Sequence, residues 1–311
     1  MTARHFLQRL LQMGAALLAM SFLMYMLIGL MPGDPVDLML AGDPPLTAAD
    51  ALRLKAMYGL DKPLLSRWAH WLLQTLQGRA GFSRLYDMPV MQVLWPRLAH
   101  TALLMGLALL LTLCIAVPLG VSAARRPGSP GDKIINIFCL SGLSLPAFWL
   151  ALLLIDFFVV RHGWLPAGAS ARHPLSMILP VVTLAAGGIA VYIRHLRASM
   201  IAALSADYIK TAAAKGCSPA RIVWGHALRN ALAPVVTVLM IDLGALVGGT
   251  VVIEEIFAYP GMGKLMFDAI TGNDYNLALA GFLLLTACVM AANLLADILY
   301  ARLDPRVGRD A

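Results

Sequence analysis

Six stretches of this sequence are apolar over the length that a helix needs to cross a lipid bilayer. A hydrocarbon core of about 30 Å is spanned by about 20 helical residues. The runs lie at about Leu11 to Met31, Thr101 to Ala124, Ile134 to Val160, Ser176 to Ile193, Leu232 to Ile256 and Leu277 to Ala301. Composition agrees, with 60% of the 311 residues hydrophobic and only 13% charged. So few polar residues could not cover the apolar surface of a soluble two-domain enzyme, and so much apolar surface excludes a disordered or collagen-like chain. The expected class is an all-α membrane protein with six transmembrane helices.

The first run follows Arg4 and Arg9, as a signal peptide would, but it is too long for an h-region. It is followed by Met31-Pro32-Gly33-Asp34-Pro35 in place of a small-residue cleavage site, so a retained helix is expected. Positive charge then orients the chain. Arg125, Arg126 and Lys133 lie between runs two and three, and Arg194, Arg197, Lys210, Lys215, Arg221 and Arg229 face the single acid Asp207 between runs four and five. Arg302, Arg306 and Arg309 lie in the tail, whereas Glu254, Glu255, Asp268 and Asp274 cluster around Lys264 between runs five and six. The basic segments and both termini are therefore expected in the cytoplasm, and the acidic loop outside. The net charge of +7 reflects this topology and does not call for nucleic acid.

Helix breakers punctuate the spans at Pro118, Pro146, Pro180 and Pro234, with Gly187-Gly188 and Gly248-Gly249 as points of close packing or flexibility. Residues 32–100 form a long external loop, expected to be a small, partly helical cap. Thr47 with Asp50 reads as a capping box for a helix of about Ala48 to Tyr58, ended by Gly59. Pro63 starts a second amphipathic stretch through about Leu76, with Trp68, Trp71 and Leu72 at helical spacing and the tryptophans suited to a membrane interface. The remainder, residues 101–311, reads as the transmembrane core.

Catalytic signatures are missing. There is no phosphate-binding G-x-x-x-x-G-K-[ST] loop, since Gly261-Met262-Gly263-Lys264 lacks the spacing and the hydroxyl, and no HExxH, GxSxG or GxGxxG context is found. Cys114, Cys139, Cys217 and Cys288 show neither a disulfide framework nor zinc spacing, and the seven histidines are scattered. No metal site and no resident cofactor are expected. Any energy for transport has to come from a partner or an ion gradient.

The most informative segment joins runs four and five, from Asp207 to Pro234. An Ala-rich helix to Lys215 meets Gly216 in the C′ position. Ser218 is a good N-cap, Pro219 fits the first helical position, and a second helix of about Pro219 to Asn230 follows. Two short helices at an angle form a knob able to seat in a groove on another protein. Nearly thirty ordered residues make a long idle connection, which favours docking over a plain solvated loop.

This segment resembles the coupling ("EAA") motif of binding-protein-dependent ABC importer permeases, in the form found in the dipeptide/oligopeptide/nickel group. The matching residues are Asp207-Tyr208, Thr211-Ala212, Ala214-Lys215-Gly216, His226, Leu228-Arg229-Asn230 and Pro234, with Lys210-Thr211 in the places of the general motif's Glu-Ala. Met31 to Pro35, Tyr58 to Pro63, Ser144 to Trp149, Glu254 to Gly263 and Leu303 to Arg306 extend the resemblance along nearly the whole chain. It implies a six-span subunit of the type I importer kind in a bacterial cytoplasmic (inner) membrane. It also implies pairing with a second, homologous permease, docking of coupling helices (207–230) onto two ABC ATPase subunits, and delivery of solute by an extracytoplasmic binding protein. ATP and Mg are then bound by the ATPases, and the long loop after span one marks the first member of the permease pair. Coupling is expected at Asp207, Tyr208, Thr211, Ala212, Ala213, Gly216, His226, Arg229 and Asn230.

Asp242 is the ionisable residue best centred in a span, so it either lines the translocation pathway or pairs with a polar group on a neighbouring helix. Asp156 and Asp297 lie nearer span ends. Glu254, Glu255, Pro260 and Gly261 are expected to gate the outer mouth or contact the binding protein. Peptides are the cargo the resemblance favours, with nickel or a metal chelate next and glutathione or opine-like solutes behind. An ion-coupled secondary transporter is the rival from another class, and it would leave the coupling loop unexplained.

Overall fold

The computed structural model describes residues 3–29, 62–166, 168–169 and 173–303. The expectations for Met31 to Pro35, for a helix at about Ala48 to Tyr58 and for Asp304 to Arg306 lie outside those residues. The described chain begins with α1 (Ala3–Gly29), α2 (Leu64–Leu76), a hairpin of β1 (Phe82–Ser83) and β2 (Met88–Pro89), and α3 (Val90–Arg125). Then come α4 (Pro130–Ser144), α5 (Ala147–Ile155) with a π-helical turn at Asp156–Arg161, α6 (Pro174–Ser205) and the short α7 (Asp207–Ala214). A second π-helical turn, Arg221–Ala227, runs into α8 (Leu228–Gly249), followed by α9 (Val251–Ile256), α10 (Met262–Thr271) and α11 (Tyr275–Leu303).

Each expected run falls on helix. Among the described residues five helices are long and apolar enough to cross a membrane, and the α4–α5 pair makes a sixth span if its halves count as one. That third run is not continuous, for the two halves meet at 95°. Leu145 and Pro146 are both extended there, with ψ of 119° and 134°. Proline has no N–H to continue the ladder, and it pushes the preceding residue out of the helical region. Pro180 and Pro234, by contrast, sit inside α6 and α8 without ending them. The fifth run also differs from expectation. It parts at Thr250, just after Gly248-Gly249, into α8 and α9.

The chain divides into two compact units. One comprises Met1–Leu98 and Leu265–Met290. In it α2 lies on α1 through Phe22 against Trp68 (5.4 Å between centroids) and Tyr25 against Trp71 (5.7 Å), with the Trp68 indole N–H donating to Ser21 Oγ at 3.2 Å. Pro63 stands at the N-cap of α2, and Gly78 ends the helix in the left-handed region, φ +79°. The hairpin, which carries no legible alternating pattern, pairs Phe82 with Pro89 and Ser83 with Met88. Asp274 anchors it. This buried carboxylate accepts from Ser83 Oγ at 2.6 Å and Leu85 N at 3.1 Å through one oxygen, and from Leu277 N at 3.2 Å, in the first turn of α11, through the other.

The other unit comprises Ala99–Lys264 and Ala291–Ala311. Its larger apolar core gathers Ala116 and Val121 of α3, Cys139 of α4, Tyr192, Ile193 and Leu196 of α6, Ile209 of α7, Val223, and Ala231 of α8. Small residues let these helices approach closely. A Cβ on Gly120 would lie 3.1 Å from Leu196, and one on Gly188 would lie 3.2 Å from Thr112. A second core joins Leu104, Ala151, Leu179, Ile253, Phe257 and Tyr259.

Removing the Asp274 anchor leaves the buried Ser83 hydroxyl without its acceptor, a loss of about 1–3 kcal/mol. Asp274→Ala is therefore expected to lower the melting temperature in detergent and to speed tryptic cleavage at Arg84. Wild-type melting and cleavage would show that the hairpin is held by something else.

Candidate functional site

The coupling segment is built on one corner. Ala206 is both the last cap of α6 and the first cap of α7, with φ −74° and ψ 152°, so a single residue joins the long helix to the short one. α7 ends in a Schellman motif, in which Cys217 N donates to Ala212 O at 3.2 Å and Gly216 N to Ala213 O at 2.9 Å. Gly216 occupies C′ with φ +78°, a conformation that costs a side-chain-bearing residue about 1–2 kcal/mol. Its neighbourhood is open, since a Cβ there would meet nothing within 4 Å. Ser218 then caps the next helix, with Ile222 N donating to its carbonyl at 3.0 Å and Arg221 N to its hydroxyl at 3.4 Å.

That next helix corrects the sequence reading. A second short helix was expected to finish near Asn230, but the π-helical turn Arg221–Ala227 passes directly into α8. Asn230 carries no stop signal, and a span tolerates Pro234 where the freed carbonyl finds other partners. The knob is thus one short helix set against the extended end of a span.

Burial divides the segment into two faces. Ile209, Ala212, Val223 and Ala227 point inward, at 8%, 8%, 7% and 0% exposure. Ala212 therefore shapes the inner packing and is not itself a surface contact. Asp207, Tyr208, Lys210, Thr211, Ala213, Gly216, Arg229 and Asn230 lie exposed, and His226 is half-buried. Lys210 pairs with Asp207 at 2.8 Å, and Thr211 Oγ donates to the Asp207 carbonyl at 3.1 Å. On this outward side Tyr208 is 41% exposed and Trp224 50%. Trp224 was not singled out from the sequence. An indole among Arg221, Gly225 and His226, at an exposed position of a connecting segment, was the available signal.

Asp242 has the polar partner on a neighbouring helix that one of its two sequence alternatives named. It is half-buried and accepts a hydrogen bond from the Tyr192 hydroxyl of α6 at 2.7 Å. Of the residues nearer span ends, Asp156 pairs with Arg161 at 2.7 Å.

The Glu254 to Gly263 stretch forms a closed knot. Glu254 is 0% exposed, which removes it as a surface contact for a binding protein. Its Oε1 accepts from Thr101 Oγ at 2.7 Å and its Oε2 from Lys264 N at 3.0 Å, while Thr101 Oγ accepts from Met262 N at 2.8 Å. The carboxylate thereby serves the first turn of α10, where a negative charge is favoured. Gly261 and Gly263 are required by contact, because a Cβ on Gly261 would overlap the Glu254 carboxylate and one on Gly263 would lie 2.7 Å from Val251 Cα. Ala258 takes the left-handed C′ position after α9 at φ +50°, with Tyr259 N donating to Glu254 O at 2.7 Å. Tyr259 donates its hydroxyl to His100 O at 2.8 Å, and a His100 ring nitrogen lies 3.0 Å from Pro260 O. Burial, with the nearby Glu254 charge, pushes the Tyr259 phenol up to about 12, so it stays a neutral donor. Glu255 remains partly exposed and pairs with Lys264 at 2.9 Å. Among the described residues no three His, Cys, Asp or Glu side chains converge as a metal site.

Residues 116–309 match the family described as binding-protein-dependent transport system inner membrane component. The chain is 36% identical to the oligopeptide transport system permease protein AppB of Bacillus subtilis, over 98% of this chain and 99% of that one. It is 39% identical to the glutathione transport system permease protein GsiC of Pectobacterium atrosepticum, over 97% of this chain and 98% of that one. In fold it is similar to a chain of the MetNI methionine ABC transporter in an inward-facing conformation, with a TM-score of 0.55 and 20% identity, covering 69% of this chain and 97% of that one. Near-full-length identity, the family match and the type I importer fold converge: this multi-pass chain belongs to the inner-membrane permease components of binding-protein-dependent ABC transport systems.

Proposed function

We propose that this permease imports peptides or peptide-like solutes, and that the outward face of residues 207–234 is where ATP-driven motion enters it. The observation that carries the reading is the division of that segment into a buried seam and an exposed face bearing Tyr208, Ala213, Gly216 and Trp224. Peptides stand ahead of nickel because the relatives quoted above carry oligopeptide and glutathione names. In this reading the basic segments lie in the cytoplasm, residues 32–100 lie outside, and residues 101–311 form the transmembrane core. A second homologous permease completes the pathway, two ATPase subunits bind ATP and Mg, and a binding protein delivers solute, so this chain performs no catalysis.

The force path follows from packing. A subunit seated on α7 presses Ile209 onto the core that holds Val223, Ala227 and α6, and the tilt passes into α6 and α8. The Asp242–Tyr192 pair joins those two helices within the membrane, where a carboxylate is expensive and is retained for function. The Glu254 knot fixes the turn between α9 and α10, which suits a gate that moves as a block.

Whole-cell uptake of a labelled tripeptide and of labelled nickel, in a strain deleted for this chain, tests the assignment. Wild type is expected to restore peptide uptake. Ala213→Asp and Gly216→Trp are expected to reach the membrane in wild-type amounts and restore about a fifth of it or less, as coupling losses of one to three kcal/mol predict. Transport at the wild-type rate in both variants would sink the docking surface, and nickel uptake alone would transfer the cargo to metal.

Two substitutions probe the membrane and outer positions. Asp242→Asn, which keeps a hydrogen-bond acceptor for Tyr192, is expected to cut peptide uptake several-fold with no loss of protein. Unchanged uptake would remove Asp242 from the pathway. Gly261→Ala is expected to lower thermal stability by about 1–3 kcal/mol through overpacking against Glu254, and a wild-type melting curve would show that the knot has room to give.

A further inference from the structure

A second buried carboxylate ties two helices of the larger unit together. Asp132, in the first turn of α4, is 3% exposed and receives Arg197 of α6 through both oxygens, Nε to Oδ1 at 2.6 Å and Nη2 to Oδ2 at 2.7 Å. The same carboxylate accepts from Gly128 N at 2.8 Å and Asn136 Nδ2 at 2.9 Å, while Asp132 N donates to the Ser129 cap at 3.3 Å. Asp132 is thereby fixed to the start of α4 and cannot swing with Arg197. Arg197 in turn stands about two and a half helical turns before the α6–α7 corner at Ala206.

Apolar contact already packs these helices; Cys139 of α4 shares a core with Ala190 and Ile193 of α6. Adding a buried ion pair to that contact is a weak source of stability, because desolvation offsets much of the Coulomb attraction. What a two-pronged guanidinium–carboxylate pair adds is geometry. It fixes position and angle together, which a sliding apolar seam does not. The pair sits where the start of α4 and the last turns of α6 meet, and the next element along the chain is α7.

We propose that the Asp132–Arg197 pair is a strut that makes α4 move with α6 when α7 is displaced, so that one docking event tilts two spans. Both are positioning residues, and the proposal rests on the importer reading above. Without the strut α6 would follow α7 while α4 slides along it, and ATP would be spent with little solute moved. A pair of purely structural worth would act differently, lowering assembly, ATP hydrolysis and uptake together.

The test uses proteoliposomes holding the complete transporter, with trialanine uptake and ATP hydrolysis measured on the same preparation. Asp132→Asn is expected to assemble and hydrolyse ATP near the wild-type rate but to move about tenfold less peptide per ATP, in the range of known coupling terms. Arg197→Lys, which keeps the charge but loses the fork, is expected to fall between. Asp132→Asn combined with Arg197→Gln should be no worse than the weaker single variant, as residues acting as one unit require. Wild-type peptide per ATP in Asp132→Asn overturns the strut, as does a proportional fall of uptake and hydrolysis with the amount assembled. A wild-type transporter that moves no peptide while hydrolysing ATP would overturn the peptide-importer reading and take the strut with it, a pattern distinct from failure of the variant alone.

Discussion

A polypeptide inside lipid must satisfy its own backbone hydrogen bonds, and the departures from straight helix among the described residues show how this chain does so. Where helices stop, the orphan carbonyls are claimed by left-handed C′ residues at Gly78, Gly216, Ala258 and Asn273. Where the third span bends, Pro146 needs no donor partner, and Ser144 turns its hydroxyl onto the Leu140 carbonyl at 2.9 Å. Where the chain enters the fifth span, π-helical turns at Arg221–Ala227 let the helix continue. The breaks are thus specific residues at specific places, and they leave rigid rods joined at corners.

Buried carboxylates organise those corners. Asp132 ties α4 to α6, Glu254 ties the start of α10 to Thr101 of α3, and Asp274 ties the 82–89 hairpin to the start of α11. In each case the acid also accepts a backbone N–H at or just before a helix start, satisfying a donor that the first turn leaves unpaired. Small-residue contacts at Gly120 and Gly188 bring the helices between these corners close together.

Much of this was legible in the sequence, because local chemistry decides it. The spans follow from apolar length, and the end of α7 at Gly216, the Ser218 cap and the start of α2 after Pro63 follow from turn and capping residues. Other features depend on partners remote in sequence and could not be read. Glu254 looks like a loop acid until Thr101, 153 residues away, is found against it. Arg197 reads as an ordinary loop charge, and Asp132 draws no notice, until the helices are placed side by side. Proline by itself does not say whether a helix bends 95°, as at Pro146, or passes through, as at Pro180. The second coupling helix was expected to end near Asn230 because the apolar run begins only at Leu232, whereas the backbone continues through that change of polarity into α8.

If, as proposed, an ATPase subunit covers the exposed side of residues 207–224 while the inner side packs on the permease, the two sides differ in reactivity. Single cysteines at Tyr208, Ile209, Ala212, Ala213 and Trp224, in a background with the native cysteines replaced by serine, can be labelled with a membrane-impermeant maleimide in inside-out vesicles. Labelling is compared with and without the ATPase partners. The Tyr208, Ala213 and Trp224 positions are expected to react when the ATPases are absent and to become protected when they are present, whereas the Ile209 and Ala212 positions stay unreactive throughout. Equal labelling of all five positions, unaffected by the ATPases, would contradict the proposed docking.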